Sequence, residues 1–307
     1  MPCAIGIDVG GTKIAAGVVD LQSGAIQLRR QQPTAASRPG DAVLADVFAI
    51  AKSLLADAHV HGLEPATIGI GVAELVTPDG VVVSDATIRW KGLPIQERFE
   101  RLLPTCIEAD VRAAARAEAR WGTGAGLASF LYVTVGTGIS SCLVLDGEPH
   151  RGARGLSGTF ASASTFVPTK DGEIAETPPL ERFASGSALA LRFRQLNPKS
   201  SAEAPEILSL ADAGDPVALK IIRSGGLALG SALAQLVNVL DPQAVIVGGG
   251  LGLGSGSFRS AVENGFRDHL WSPLHTDISL LPAGLGSDAG LIGAALISVL
   301  SRKHPKN

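Results

Sequence analysis

Apolar residues occur along this chain in short continuous runs that alternate with longer stretches of helical spacing. The short runs at the N-terminus predict three successive strands, at Cys3–Asp8, Ile14–Asp20 and Ile26–Gln32. A helix is predicted over Asp41–Ala58, because its apolar residues recur at intervals of three and four. Two further buried strands follow, at Ile68–Val72 and Ile107–Ala109, and the second leads directly into an alanine-rich helix, Val111–Trp121.

A second cycle of the same kind begins after this helix. It predicts strands at Phe130–Val135, Ile139–Leu145 and Ala244–Val247, and helices at Leu180–Arg194, Val217–Leu240 and Ala289–Leu300. The polar, aperiodic stretch 155–180 is predicted to be a loop. The echo of strand, glycine-threonine turn and return strand indicates a duplicated architecture rather than a duplicated sequence.

Three glycine turns each follow a buried strand, at Gly10–Gly11, Gly136–Gly138 and Gly248–Gly250. In α/β folds ligands bind at the carboxyl ends of strands, where loops and helix N-termini meet. The alternation of strands and helices therefore predicts an α/β protein with all three turns on one side of a ligand cleft.

Composition narrows the class of partner. The 307 residues are 46% hydrophobic and 18% charged, and the net charge of −3 argues against nucleic acid and leaves a small molecule as the expected partner. The three cysteines, Cys3, Cys106 and Cys142, have no metal-ligand spacing, which fits a reducing cytoplasm. With no signal peptide and no unbroken apolar run of about 18 residues, we expect neither export nor a membrane partner.

The first turn, Asp8–Lys13, has the residue types that a phosphate site needs. Gly10 and Gly11 let backbone N–H groups approach a phosphate, while Thr12 and Lys13 add donors and positive charge. Asp8 could hold Mg²⁺ directly or through water, because hard cations prefer oxygen ligands. A plain hairpin turn explains the segment equally well, and its spacing fits neither a Walker loop nor a dinucleotide motif.

The other two turns and one aspartate extend this pattern. Gly136, Thr137 and Gly138 repeat the chemistry of the first turn, and Gly248, Gly249 and Gly250 offer side-chain-free backbone for a planar ring. Asp110 lies between a strand end and a helix N-terminus, where it would either cap the helix or stay ionised and reach a hydroxyl group. The residues alone leave both roles open.

The order of the motifs resembles the ROK family of sugar kinases and related repressors. The matching segments, in chain order, are D-V-G-G-T-K, I-E-A-D, V-T-V-G-T-G-I, L-A-Q-L-V-N-V-L-D-P-Q-A-V-I-V-G-G-G and A-G-L-I-G-A-A. The resemblance extends from about Ile5 to Ile297. It implies a two-lobed, actin-like ATPase fold of hexokinase type, with residues 1–115 and 290–307 in one lobe and 116–289 in the other.

The resemblance also implies roles for single residues. Gly10–Lys13 would form the first phosphate loop, Gly136–Gly138 the second, and Gly248–Gly250 the adenosine side. Asp110 would be the general base that takes the proton from a sugar hydroxyl as it attacks the γ-phosphate of ATP. A homodimer is implied by the family alone.

The substrate side departs from the family pattern. Members with structural zinc carry G-E-I-G-H and a cysteine cluster, whereas this chain has Thr159 for the Glu, Ser162 for the His and no cluster, so we predict no zinc site. Ala109 stands for the usual Asn before the base, and Glu74-Leu75 replaces a common Pro-Gly. The candidate substrate-binding residues are Glu74, Asp110, Ser157, Thr159 and Glu181. The alternative for Glu181 is a solvated acid at a helix N-terminus.

These observations predict an ATP- and Mg²⁺-dependent kinase for a modified sugar, amino sugar or cyclitol rather than plain glucose. Each lost hydrogen bond to a charged group removes roughly 1.5–3 kcal/mol of binding to an ordinary hexose. The alternative is a non-catalytic ligand-binding or regulatory protein that kept the fold. The family's repressors carry an N-terminal helix-turn-helix domain, and the first predicted strand here begins too close to Met1 for us to expect one.

Overall fold

The protein's structure, a computed structural model, describes residues 2–300, with side chains described through residue 297. Its strands are β1 (Cys3–Val9), β2 (Lys13–Asp20), β3 (Ile26–Pro33), β4 (Pro65–Val72), β5 (Thr105–Ala109), β6 (Ser129–Val135), β7 (Ile139–Leu145), β8 (Glu148–Pro149), β9 (Thr165–Pro168), β10 (Ile174–Thr177), β11 (Ala244–Gly248) and β12 (Ser279–Pro282). Its helices are α1 (Gly40–Val60), α2 (Ile95–Phe99), α3 (Asp110–Trp121), α4 (Glu181–Ala184), α5 (Gly186–Leu196), α6 (Ala204–Asp212), α7 (Pro216–Leu240), α8 (Ser257–His269) and α9 (Ala289–Leu300).

These elements form two compact units. Within the described residues, unit 1 consists of 2–127, 144–157 and 284–300, and unit 2 of 128–143 and 158–283. The boundary predicted after residue 115 would cut α3, which instead stays whole in unit 1 because it packs along α9. The segment 144–157 also joins unit 1, so this unit is larger than the lobe expected from the sequence.

The first sheet brings three strand ends to one edge. Its order is β3-β2-β1-β4-β5, with β1 antiparallel to β2 and parallel to β4, and β4 parallel to β5. In the parallel part Val9 pairs with Val72, which pairs with Ala109. The carboxyl ends of β1, β4 and β5 therefore lie side by side, and the residues that follow them share one edge of unit 1.

Helix α9 covers this sheet at very short range. A Cβ atom added to Gly69 of β4 would lie 1.7 Å from the carbonyl oxygen of Ala294, so only glycine permits the contact. Leu291 and Ala295 of the same helix pack into a core cluster with Ala4 and Ala15. The C-terminal helix is thus a structural part of the unit formed by the first strands.

The second sheet has the order β12-β11-β6-β7-β8, and β11 is parallel to both β6 and β12. The core of unit 2 forms around α7, whose buried residues include Leu229, Leu233 and Val237. By length and composition alone α7 is apolar enough to cross a membrane, but half of its most apolar window is buried inside the protein. Packing in the core of unit 2 accounts for that composition.

Several elements differ from the sequence predictions. The stretch 155–180 contains a hairpin of β9 and β10 instead of being loop throughout. The single helix predicted over Leu180–Arg194 is two helices, because Ser185 ends α4 and its hydroxyl caps α5 by accepting the N–H of Ala188 at 3.3 Å. Helices α6 and α8 and strand β12 were not predicted at all.

Candidate active site

Two aspartates lie at the carboxyl edge of the first sheet. Asp8 is in β1 opposite Gly71 of β4, and Gly71 pairs in turn with Glu108 of β5. Asp110 follows β5 directly and is the first residue of α3. The strand register therefore places Asp8 and Asp110 at the same edge, separated by one strand.

Asp110 is not the helix cap. Ala109 takes the N-cap position of α3, and no side chain caps this helix terminus. Instead, Oδ1 of Asp110 accepts the N–H of the next residue, Val111, at 2.6 Å. The sequence left open whether Asp110 caps α3, and in the structure it does not. The position of this carboxylate at the helix start therefore needs another explanation.

The surroundings of Asp110 raise its pKa from 3.8 to about 7. Desolvation is the main cause, since protein atoms surround a side chain that keeps only partial access to solvent, and the negative charge of Asp8 adds to it. The hydrogen bond from Val111 and the positive charge of Arg112 act in the opposite direction, while Glu74 raises the pKa further. A carboxyl group with a pKa near neutrality can both accept and release a proton at physiological pH.

The pKa of Asp8 is also raised, but by less than that of Asp110. Burial raises its pKa to about 6, and the positive charge of Lys13 limits the increase. A Cβ atom at position 290 would lie 2.6 Å from Oδ2 of Asp8, so Gly290 at the start of α9 leaves the space that the carboxylate occupies. An ionised, partly accessible carboxylate at a strand end fits Mg²⁺, which commonly binds one or two protein carboxylates together with substrate phosphates.

The first glycine turn is closed by backbone bonds and by a residue that the sequence did not single out. The N–H of Gly10 donates to the carbonyl of Lys13 at 3.0 Å, which makes the tight return from β1 to β2. Thr34 braces the turn from the side: its hydroxyl donates to the carbonyl of Gly10 at 2.6 Å, and its N–H donates to that of Thr12 at 3.0 Å. The buried Thr34 therefore holds the turn, whereas Thr12 is exposed.

Glu74 is placed differently from the sequence expectation. Its carboxylate is buried, and both oxygens accept hydrogen bonds from the loop 84–88 rather than facing solvent. The donors are the hydroxyl of Ser84 and the N–H groups of Ala86, Thr87 and Ile88. Because the loop already uses both oxygens of Glu74, this placement argues against a carboxylate that is offered to a substrate amine.

A buried ion network supports the same edge of unit 1. The guanidinium of Arg112 donates to Oε1 of Glu108 at 2.6 and 2.7 Å and to the carbonyls of Gly155 and Val76 at 2.8 and 2.7 Å. Oε2 of Glu108 pairs with Arg151 at 2.7 Å. The network ties α3 to the turn after β4 and to the segment 151–157, and sequence reasoning missed it because its members are far apart in the chain.

Unit 2 carries the second glycine turn together with Glu181. The carbonyl of Gly136 accepts the N–H of Gly186 at 2.8 Å, which joins the turn to the start of α5. Oε2 of Glu181 accepts the N–H of Ile139 at 2.8 Å and lies where a side chain on Gly138 would point. Glu181 is therefore attached to the second turn, and its bond to a substrate hydroxyl stays a prediction.

The third glycine turn lies against the second through Val135. Gly249 has a φ of +83°, and a Cβ there would lie 2.4 Å from the carbonyl oxygen of Val135. The same carbonyl accepts the N–H of Leu251 at 3.0 Å, while the space beside Gly250 is open to 4 Å. Two of the three predicted glycine turns are thus neighbours in unit 2, next to an open backbone surface.

The remaining predicted residues are less tightly placed. The hydroxyl of Ser157 donates to the carbonyl of His150 at 2.5 Å in unit 1, and Thr159 and Ser162 are exposed in unit 2. Over the described part of the chain, no group of three or more His, Cys, Asp or Glu side chains is arranged to hold a metal ion. Ala109 is buried directly before Asp110 and presents only a methyl group.

Comparison with known proteins gives this geometry a context. A family model described as the ROK family matches residues 4–299. A glucokinase from Streptomyces coelicolor is 33% identical over 321 aligned residues, covering 96% of this chain and 97% of the glucokinase. An N-acetylmannosamine kinase from Escherichia coli O1:K1 is 30% identical over 96% of this chain and 97% of the kinase.

A solved structure agrees in fold over nearly the whole length. The crystal structure of a ROK family glucokinase from Streptomyces griseus, in complex with glucose and AMPPNP, superposes with a TM-score of 0.82 at 30% identity. The match covers 98% of this chain and 100% of that one. The actin-like, hexokinase-type fold expected from the motif order is confirmed by this likeness.

Proposed function

The chain belongs to the ROK family, and on that premise we propose that it is an ATP-dependent kinase that phosphorylates a hydroxyl group of a sugar or sugar-like polyol. One observation carries the proposal: Asp110 lies at the carboxyl edge of the first sheet with its pKa raised to about 7. A base of that pKa is ionised in a large fraction of molecules at neutral pH and still holds a proton well.

The chemical step assigns one role to Asp110. An oxygen of its carboxylate accepts the proton of the acceptor hydroxyl while that hydroxyl oxygen forms a bond to the γ-phosphorus of ATP. The bond between the γ-phosphorus and the bridging oxygen to the β-phosphate breaks, and ADP leaves with that oxygen. The hydrogen bond from Val111 holds the carboxylate in a fixed orientation for this transfer.

Binding of the nucleotide is assigned to the glycine turns. In unit 1 the turn Gly10–Lys13 presents backbone N–H groups and one cation, and in unit 2 the turn Gly136–Gly138 is the second candidate for phosphate binding. The open backbone at Gly250 suits the adenosine part of the nucleotide, because the planar adenine ring can lie against it. When Mg²⁺ is bound, Asp8 would hold it directly or through water, and the ion would neutralise charge on the phosphates.

We propose that the acceptor is a modified sugar or a cyclitol, and the panel of acceptors described below includes amino sugars. Ala109 cannot hydrogen-bond a hydroxyl through its side chain, and Thr159 and Ser162 replace the charged or basic groups of the usual motif. A site without these partners discriminates weakly in favour of an ordinary hexose. The argument for an amine on the substrate no longer holds, because Glu74 is bound by its own loop.

A direct test measures ADP release from ATP and Mg²⁺ across a panel of hexoses, amino sugars and cyclitols. We expect turnover with at least one polyol, and loss of that turnover by several orders of magnitude in Asp110→Asn with ATP binding retained. Nucleotide binding without turnover of any acceptor would contradict the kinase and favour a regulatory ROK protein. The homodimer remains a prediction from the resemblance, and the cytoplasmic location remains a prediction from the cysteine pattern and the sequence.

A further inference from the structure

The loop 84–90 packs beside the first glycine turn. A Cβ atom on Gly11 would lie 2.8 Å from the methyl group of Thr87, so the loop approaches the turn as closely as glycine allows. Ile88 and Trp90 are completely buried, and the indole N–H of Trp90 donates to the carbonyl of Gly40 at 3.0 Å. The loop is therefore anchored in the core of unit 1 at one end, and its exposed part lies next to the residues proposed to bind phosphate.

Glu74 fixes the other end of this loop. Its Oε1 accepts the N–H groups of Thr87 and Ile88 at 2.5 and 2.6 Å, and its Oε2 accepts the N–H of Ala86 at 2.9 Å and the hydroxyl of Ser84. Hydrogen bonds to an ionised acceptor are shorter and stronger than those between neutral groups. One carboxylate thus organises three consecutive backbone amides that have no strand or helix partner of their own.

We propose that Glu74 is a positioning residue. It folds the loop 84–88 against the first glycine turn, so that loop and turn form one rigid wall near Asp110, where the acceptor hydroxyl is proposed to react. This inference rests on the proposed kinase function. It assigns to Glu74 an action through the loop rather than contact with the substrate. Two groups of observations support it, the four hydrogen bonds to the loop and the contact between Thr87 and Gly11.

The variant Glu74→Gln tests the anchor with little change of shape. A glutamine has one accepting oxygen and one NH₂ group, so one pair of donors in the loop faces another donor. We expect the amides of residues 86–88 to exchange hydrogen at least tenfold faster than in the wild-type protein, measured by mass spectrometry. We also expect the KM for the acceptor to rise roughly tenfold with a smaller change in kcat, since the wall is loosened and the base is kept.

A pH profile separates the effect of the charge of Glu74 from its action through the loop. The charged groups that act on Asp110 are Asp8, Glu74 and Arg112, and Glu74 raises the pKa of the base. Neutralising Glu74 should therefore move the acid limb of kcat/KM to lower pH. Loosening of the loop alone would lower activity at every pH and leave the limb in place.

Two further variants complete the test. Ser84→Ala removes one donor and keeps the charge of Glu74, so we expect faster exchange and a raised KM with an unchanged acid limb. Glu97→Gln makes the same chemical change at an exposed carboxylate of α2, outside the loop, so exchange, KM and acid limb should all stay at wild-type values.

The outcomes are distinct. Wild-type exchange at 86–88 in Glu74→Gln, or the same rise of KM in Glu97→Gln, overturns the positioning role. A wild-type protein that turns over no acceptor contradicts the proposed kinase and the catalytic half of this inference, while hydrogen exchange still decides whether Glu74 holds the loop.

Discussion

Replacing Asp110 by Asn should remove catalysis and stabilise the protein. Asparagine has nearly the same shape, and its side-chain oxygen can still accept the N–H of Val111 that Oδ1 accepts at 2.6 Å. It lacks the charge that desolvation and Asp8 disfavour. If the raised pKa of Asp110 reflects a functional strain, losing the carboxylate should therefore raise the free energy of unfolding where the group is normally ionised.

The magnitude follows from proton linkage. The pKa of Asp110 is about 7 in the folded state and 3.8 in the unfolded reference, so the folded state binds more protons between these values and stability falls as pH rises through this window. The difference of about 3 pKa units corresponds to a ceiling of about 4 kcal/mol above pH 7 and to less than half of that at pH 5. Partial solvent access and relaxation around the carboxyl group reduce this, and we expect about half.

Thermal unfolding of the wild-type protein and Asp110→Asn at pH 8 and pH 5 measures the effect. For 307 residues, a gain of about 2 kcal/mol raises Tm by about 3 °C at pH 8, and the gain should shrink markedly at pH 5. Asp171→Asn is the matched control, because Asp171 is exposed in the hairpin between β9 and β10. Equal stability of Asp110→Asn and wild type at both pH values, or full kinase activity of the variant, would refute the reasoning.

Three other substitutions probe the same site. Arg112→Met should lower Tm, because it removes one of the two arginines that pair with Glu108, and it should move the acid limb of kcat/KM to higher pH. Arg112→Lys should keep this limb in place, and an unchanged limb in both variants would contradict the expectation. Gly290→Ala should displace Asp8 and cut kcat at least tenfold with the fold intact by circular dichroism, and wild-type kcat would argue against the contact. Gly249→Ala introduces a side chain at positive φ and should lower Tm and weaken ATP binding about tenfold or more, measured by calorimetry, unless the turn is not a nucleotide site.

Much of this architecture could be predicted from local pattern. Strands β6, β7 and β11 and helices α1, α3 and α9 appear within a few residues of their predicted bounds, because each carries a continuous apolar run or helical spacing. Glycine turns could be located because each follows such a run. The start of helix α6 also carries a local signal, a capping box between Glu203 and Glu206 that the sequence analysis overlooked. In the structure the carboxylate of Glu206 accepts the N–H of Glu203 at 2.5 Å.

The rest depended on contacts between distant residues. No residue of strands β9 and β10 is buried, so no hydrophobic periodicity marks this hairpin. The oxygens of Glu74 are used by residues ten to fourteen positions later, and Asp8 depends on a glycine at position 290. Local pattern cannot show which of two carboxylates will be bound by the protein itself and which will stay available, because that depends on what the fold brings beside each one.

The contrast between Glu74 and Asp110 is the physical basis of the site proposed here. Both are acids near the carboxyl edge of the first sheet, yet Glu74 accepts four hydrogen bonds, whereas Asp110 is desolvated next to other negative charge. The loop occupies both oxygens of Glu74, whereas Asp110 accepts the N–H of Val111 through Oδ1. Glu74 therefore acts twice in this interpretation: its bonds shape the loop, and its charge opposes the ionisation of Asp110, which Arg112 favours. The basicity of Asp110 results from this balance between neighbours.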